Sequence, residues 1–126
     1  MNKTLDEMRD EVQASKKALV LLERQHQRKE CTEDEFLRWR EYSFGAIDAL
    51  QWALGVQEDE TSQPPAQRTE EAIREHLAKS EREMSTLRNQ YRRQEVEKER
   101  FLRLRERRIG FMQALRWVLG ERDRYD

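Results

Sequence analysis

Residues 36 to 55 recur at positions 101 to 120 without a gap, with 11 of the 20 residues identical at that single offset of 65. Phe36-Leu37-Arg38-Trp39-Arg40-Glu41 returns as Phe101-Leu102-Arg103-Leu104-Arg105-Glu106. Gly45, Ala49, Leu50, Trp52, Leu54 and Gly55 return as Gly110, Ala114, Leu115, Trp117, Leu119 and Gly120. The preceding segments stay in register, with Thr4/Thr69, Arg9/Arg74, Ser15/Ser80, Leu22/Leu87, Gln25/Gln90, Arg28/Arg93 and Glu30/Glu95. A repeat of this length is a duplicated supersecondary unit, so solving one copy solves both.

Within the first copy Leu5, Met8, Val12, Ser15, Leu19, Leu22 and His26 alternate at spacings of three and four, the seam of an amphipathic helix. Glu70, Ile73, Leu77, Ser80, Met84, Leu87 and Tyr91 repeat it. The helix is expected to end near Lys29, because Thr32 followed by Glu33, Asp34 and Glu35 is a start signal. A hydroxyl there caps free amides, and acids suit the positive helix end. The second helix then runs to about Leu54, with Gly55 as its terminator. Each copy is therefore an αα-hairpin.

The whole chain reads as all-α, with tandem duplicated hairpins forming an elongated four-helix bundle or coiled-coil-like assembly. Residues 1–55 are the first hairpin, 56–67 an acidic connector broken by Pro64 and Pro65, and 68–126 the second. The second turn is expected at Glu95 to Lys98, where no residue breaks a helix. Local signals there fit a single helix over 69–119 equally well, and such an open copy would exchange helices with another molecule.

Apolar residues make up 36% of the 126 residues and charged residues 40%, so the chain can cover narrow stripes along helices but cannot fill a thick core. No apolar run is long enough to span a membrane, and Met1 to Asp6 lacks the apolar core of a signal peptide, so a cytoplasmic protein is expected. One cysteine, Cys31, with two histidines cannot build a disulfide or a zinc site. Phosphate loops and nucleophile elbows are also missing from the sequence, so the reading is a non-enzymatic protein without cofactor or metal.

Two stripes on the second helices carry the functional expectation. Phe36, Arg40, Ser43, Ile47, Leu50 and Leu54 face the first helix of the same hairpin. Leu37, Glu41, Gly45, Ala49 and Trp52 lie around the helix from these, matched by Leu102, Glu106, Gly110, Ala114 and Trp117. Glycine inside a helix costs about 1 kcal/mol relative to alanine, so two of them at equivalent positions imply that another backbone comes close. The interface expected between the second helices comprises Leu37, Gly45, Ala49, Trp52, Leu102, Gly110, Ala114 and Trp117. A ligand slot at the glycines is the alternative.

Net charge is −5 over residues 1–65 and +4 over 66–126, which favours packing of the copies on each other or head to tail between molecules. Eight of the 19 arginines fall between 88 and 108. They either pair with glutamates along the helix or form an anion-binding surface from Arg40, Arg100, Arg103, Arg105, Arg107 and Arg108.

The ending Gly110-Phe111-Met112-Gln113-Ala114-Leu115-Arg116-Trp117-Val118-Leu119-Gly120-Glu121, with its A-L-x-W-x-L-G pattern, resembles small uncharacterised helical-hairpin proteins of phages and high-GC bacteria. The resemblance implies a fused pair of hairpins acting as a phage accessory protein that binds a host factor. The expected function is protein-protein interaction, with self-association into a dimer and a host or cellular protein as partner. The alternative is a binder of an anion, nucleotide or nucleic acid, such as an inhibitor or sponge of a host defence system.

Overall fold

A computed structural model describes residues 3–55 and 68–121. The expected connector 56–67 lies outside the described residues. Four helices follow in order: α1 (Leu5–Gln27), α2 (Glu33–Leu54), α3 (Glu70–Arg92) and α4 (Lys98–Val118). The described residues contain no strand, and the chain is an all-α bundle of two hairpins.

Local chemistry sets most of the helix ends. The Thr4 hydroxyl accepts from the Glu7 amide while the Glu7 carboxylate accepts from the Thr4 amide, a reciprocal capping box. Thr32 and Thr69 cap α2 and α3 through the amides of Glu35 and Ala72. Gly55 and Gly120 close α2 and α4 at φ 78°, a left-handed geometry that glycine adopts without strain.

Both hairpins turn in the same way, and the second copy is not a continuous helix. Lys29 and Gln94 sit at φ 58° and 60°, 65 residues apart. Their amides donate to His26 and Tyr91, and the next amides, of Glu30 and Glu95, donate to Gln25 and Gln90. This is a Schellman closure built without glycine. The turn therefore spans 93–97, opening at Arg93 and Gln94 and overlapping the expected Glu95 to Lys98. Glu97, the residue before α4, supplies no side-chain cap. An L-residue in the left-handed region gives up about 1–2 kcal/mol, so Lys29→Gly and Gln94→Gly should each stabilise the fold by about 1 kcal/mol in urea titration.

The turns hold because aromatic rings close over them. His26 stacks on Phe36 at 3.8 Å between ring centroids, and Tyr91 stacks on Phe101 at 4.2 Å, at equivalent positions.

The hairpins meet through α2 and α4, which lie side by side and run in the same direction. A Cβ at Gly45 would sit 1.9 Å from the Arg107 carbonyl oxygen, and one at Gly110 would sit 2.1 Å from that of Tyr42. Arg107 is the 65-residue counterpart of Tyr42, so the two contacts are equivalent by rotation about a pseudo-twofold axis. Ala46, Ala49, Ala53 and Ala114 are fully buried alongside, and the two backbones touch where larger side chains would hold them apart. The Lys3 amide donates to the Val118 oxygen and the Arg68 amide to the Ala53 oxygen, each at 2.8 Å, again 65 residues apart. Each hairpin thus begins against the end of the other. With α2 and α4 parallel, both turns lie at one end of the bundle.

Candidate functional site

Below the glycine crossing, toward the turns, α2 and α4 separate around a cleft of about 470 Å³. Its lining comes in pairs across the pseudo-twofold axis: Asp34 and Glu99, Leu37 and Leu102, Arg38 and Arg103. Glu106 and Arg105 complete one wall. Two leucines, three guanidinium groups, three carboxylates and the Lys98 ammonium make an amphipathic cleft at the tips of the hairpins.

The expected interface residues divide between this cleft and the crossing. Gly45, Ala49, Gly110 and Ala114 are buried at the crossing, whereas Leu37 and Leu102 stand half open in the cleft. The tryptophans do something different from the expected contact between second helices. Trp52 stacks on His76 of α3 at 4.4 Å, and the Arg68 guanidinium lies 5.3 Å over its ring. Lys3 lies 5.2 Å over the ring of Trp117. Arg68 is the counterpart of Lys3, so each tryptophan anchors the start of the opposite hairpin. A stripe on one helix could not reveal this, because the partner lies on the other hairpin.

Most of the arginines expected to bind an anion are committed to carboxylates of the chain itself. Arg107 reaches across from α4 to Glu41 with Nε to Oε2 at 2.9 Å, and Arg38 reaches from α2 to Glu106 at 3.4 Å. Arg105 contacts Glu106 at 3.2 Å, Arg40 approaches Glu41 at 3.9 Å, and Arg108 is paired with Glu83 of α3. The partners are thus a neighbouring residue or a residue of another helix, not a glutamate one turn along the same helix. Glu41 and Glu106 are both buried, so their charges need these partners.

Arg40 and Arg105 also cover aromatic rings, lying 5.2 Å from Phe36 and 5.7 Å from Phe101. Their buried Nε atoms have no hydrogen-bond partner among the described residues. Each hairpin therefore repeats a stack of aromatic ring, phenylalanine, arginine and buried glutamate. Arg100 and Arg103 are the members of the expected set left exposed without an ion pair to any described residue.

Sequence reasoning missed two features. Trp39 and Leu104, which fall on neither stripe, remain 46% and 39% exposed at equivalent positions outside the cleft lining, and Leu104 lines a separate hollow with Leu87 and Val96. Their signal was present as large apolar residues out of phase with the seam. The other is His76, packed between Trp52 and Phe111. Burial, with Lys79, Arg108 and Arg68 nearby, holds its pKa below the usual value against a smaller opposing effect of Glu83.

The sign of that shift gives a pH dependence. The unfolded chain takes up the proton first, so this contribution to stability is complete above the unfolded pKa of about 6.5 and is lost as pH falls through it toward the folded pKa. Lowering pH from about 7 to about 5 should therefore reduce the urea midpoint. His76→Gln should flatten that slope, and an unchanged slope would mean that other groups carry it.

The fold and cleft define a duplicated αα-hairpin protein with a pseudo-twofold axis. Compared with protein-family models, curated proteins and solved structures, the chain matches none of them. No described helix is long and apolar enough to cross a membrane. No group of three or more histidine, cysteine or acidic residues among the described residues could hold a metal ion.

Proposed function

We propose that this is a non-enzymatic interaction protein that associates with itself and engages a host or cellular protein. The observation that carries this reading is the pair Trp39 and Leu104. They are large apolar side chains kept in water at matching positions of both central helices, in addition to the half-open Leu37 and Leu102 of the cleft. Burying one such side chain is worth about 1.5–3 kcal/mol, a strong drive for docking in a chain that is otherwise so polar. Binding of a phosphate, nucleotide or nucleic acid is the second reading. It rests on Arg100 and Arg103, because the other four arginines of the expected anion-binding set are already paired with carboxylates.

The test is light scattering across a concentration series, with a double variant carrying Trp39→Glu and Leu104→Glu. The native chain is expected to exceed monomer mass and the variant to remain monomeric, with helicity by circular dichroism unchanged. Equal masses for the two proteins at every concentration would remove the surface from consideration.

A further inference from the structure

The two tips are equivalent in backbone but opposite in charge at three exposed positions. Glu23, Glu33 and Glu35 of the first hairpin correspond to Arg88, Lys98 and Arg100 of the second. Over residues 23–38 there are five acidic and four basic groups, and over residues 88–103 three acidic and six basic, so the tips carry −1 and +3. Glu33 bonds His26 and Glu35 bonds the Thr32 hydroxyl, whereas Arg88, Lys98 and Arg100 have no ion pair with any described residue. The repeat has kept Arg28/Arg93, Glu30/Glu95, Asp34/Glu99 and Arg38/Arg103 in sign, which sets the three inversions apart.

Both tips lie at one end of the bundle, on either side of the cleft. A true twofold axis perpendicular to the pseudo-twofold axis sets the first tip of one molecule on the second tip of another, twice. That places Glu23, Glu33 and Glu35 opposite Arg88, Lys98 and Arg100, with Leu37 and Leu102 at the centre. An apolar centre inside a charged rim is the usual anatomy of an interface. The other twofold arrangement joins like tips and sets like charges together.

We infer that a second copy of this chain docks end to end on the hairpin tips, its acidic first tip on the basic second tip of its partner. The inference rests on the self-association reading and assigns it a surface and a polarity.

Two variants test it. One carries Glu23→Arg, Glu33→Lys and Glu35→Arg, which makes both tips basic. The other carries Arg88→Glu, Lys98→Glu and Arg100→Glu, which makes both acidic. Sedimentation should show a native dimer that weakens as salt rises from about 0.05 to about 0.5 M. Each variant alone should dimerise at least about a hundredfold more weakly, and an equimolar mixture should regain the dimer, because every facing pair is then opposite in sign.

The basic variant disturbs the start of α2, so its helicity is measured first. Glu23→Arg alone, at a site without an internal partner, should weaken the dimer in the same direction. A native dimer that ignores both variants, or a mixture that stays monomeric, overturns tip docking and leaves self-association standing. A native chain that is monomeric at every concentration overturns self-association itself. Tight binding of a labelled single-stranded oligonucleotide, lost in the acidic variant, together with a dimer that the variants do not weaken, assigns the basic tip to nucleic acid and overturns the docking.

Discussion

Adding a single methyl group at position 45 or 110 should destabilise the protein by about 3 kcal/mol, and a leucine at either position should abolish its cooperative unfolding transition. In a free helix the same glycine-to-alanine change stabilises by about 1 kcal/mol, so the expected sign is opposite to that of local propensity. The reason is what the methyl would meet. The Arg107 and Tyr42 carbonyl oxygens lie 1.9 and 2.1 Å from the new carbon, and both belong to helical backbone that cannot rotate away. Relief requires α2 and α4 to separate along their length, which opens the buried alanines and Leu50 and Leu115. Urea titration of Gly45→Ala and Gly110→Ala followed by circular dichroism reads this directly. A midpoint equal to or above the native one in either variant would show that the helices do not touch there.

Phe101→Ala should cost about 3–5 kcal/mol, as expected for truncating a buried aromatic residue. Phe101 is buried, stacks on Tyr91 and carries Arg105 over its other side. Its removal acts on the weaker turn, because α4 begins without a side-chain cap while α2 begins on Thr32. Phe36→Ala removes the same packing but leaves the Thr32 cap, so hydrogen exchange in its turn should rise less. The amides to compare are Glu95 and Glu30, which donate to Gln90 and Gln25 across the two closures. Equal exchange in the two variants would mean that the cap contributes nothing to holding the turn.

The seam of the first helices was legible in part. Ile73, Leu77, Ser80, Met84 and Leu87 are all buried in α3, whereas in α1 only Met8 and Val12 are, Ser15, Leu19, Leu22 and His26 being half-buried and Leu5 exposed. Periodicity marks a face of a helix but does not say how closely a neighbour covers it. In this fold α2 and α4 hold the centre, and α1 and α3 lie outside them.

What the residues by themselves determined is everything that depends on neighbours three or four positions away, or on the 65-residue offset. The threonine caps, the end of α2 at Gly55, the duplication and the need for close approach at Gly45 and Gly110 belong here. Each arises from local hydrogen bonding or from the lack of a side chain. Tertiary structure alone decided the parallel course of α2 and α4, the reach of Trp52 to His76 and the pairing of Arg107 with Glu41 and Arg38 with Glu106. It also decided the turn at Gln94, where good helix formers adopt a left-handed residue. A local penalty of about 1–2 kcal/mol is outweighed there by the stacking of Tyr91 on Phe101 and the burial that follows. These outcomes depend on how the two hairpins are oriented, and orientation is set by the sum of contacts between them, which no short window of sequence contains.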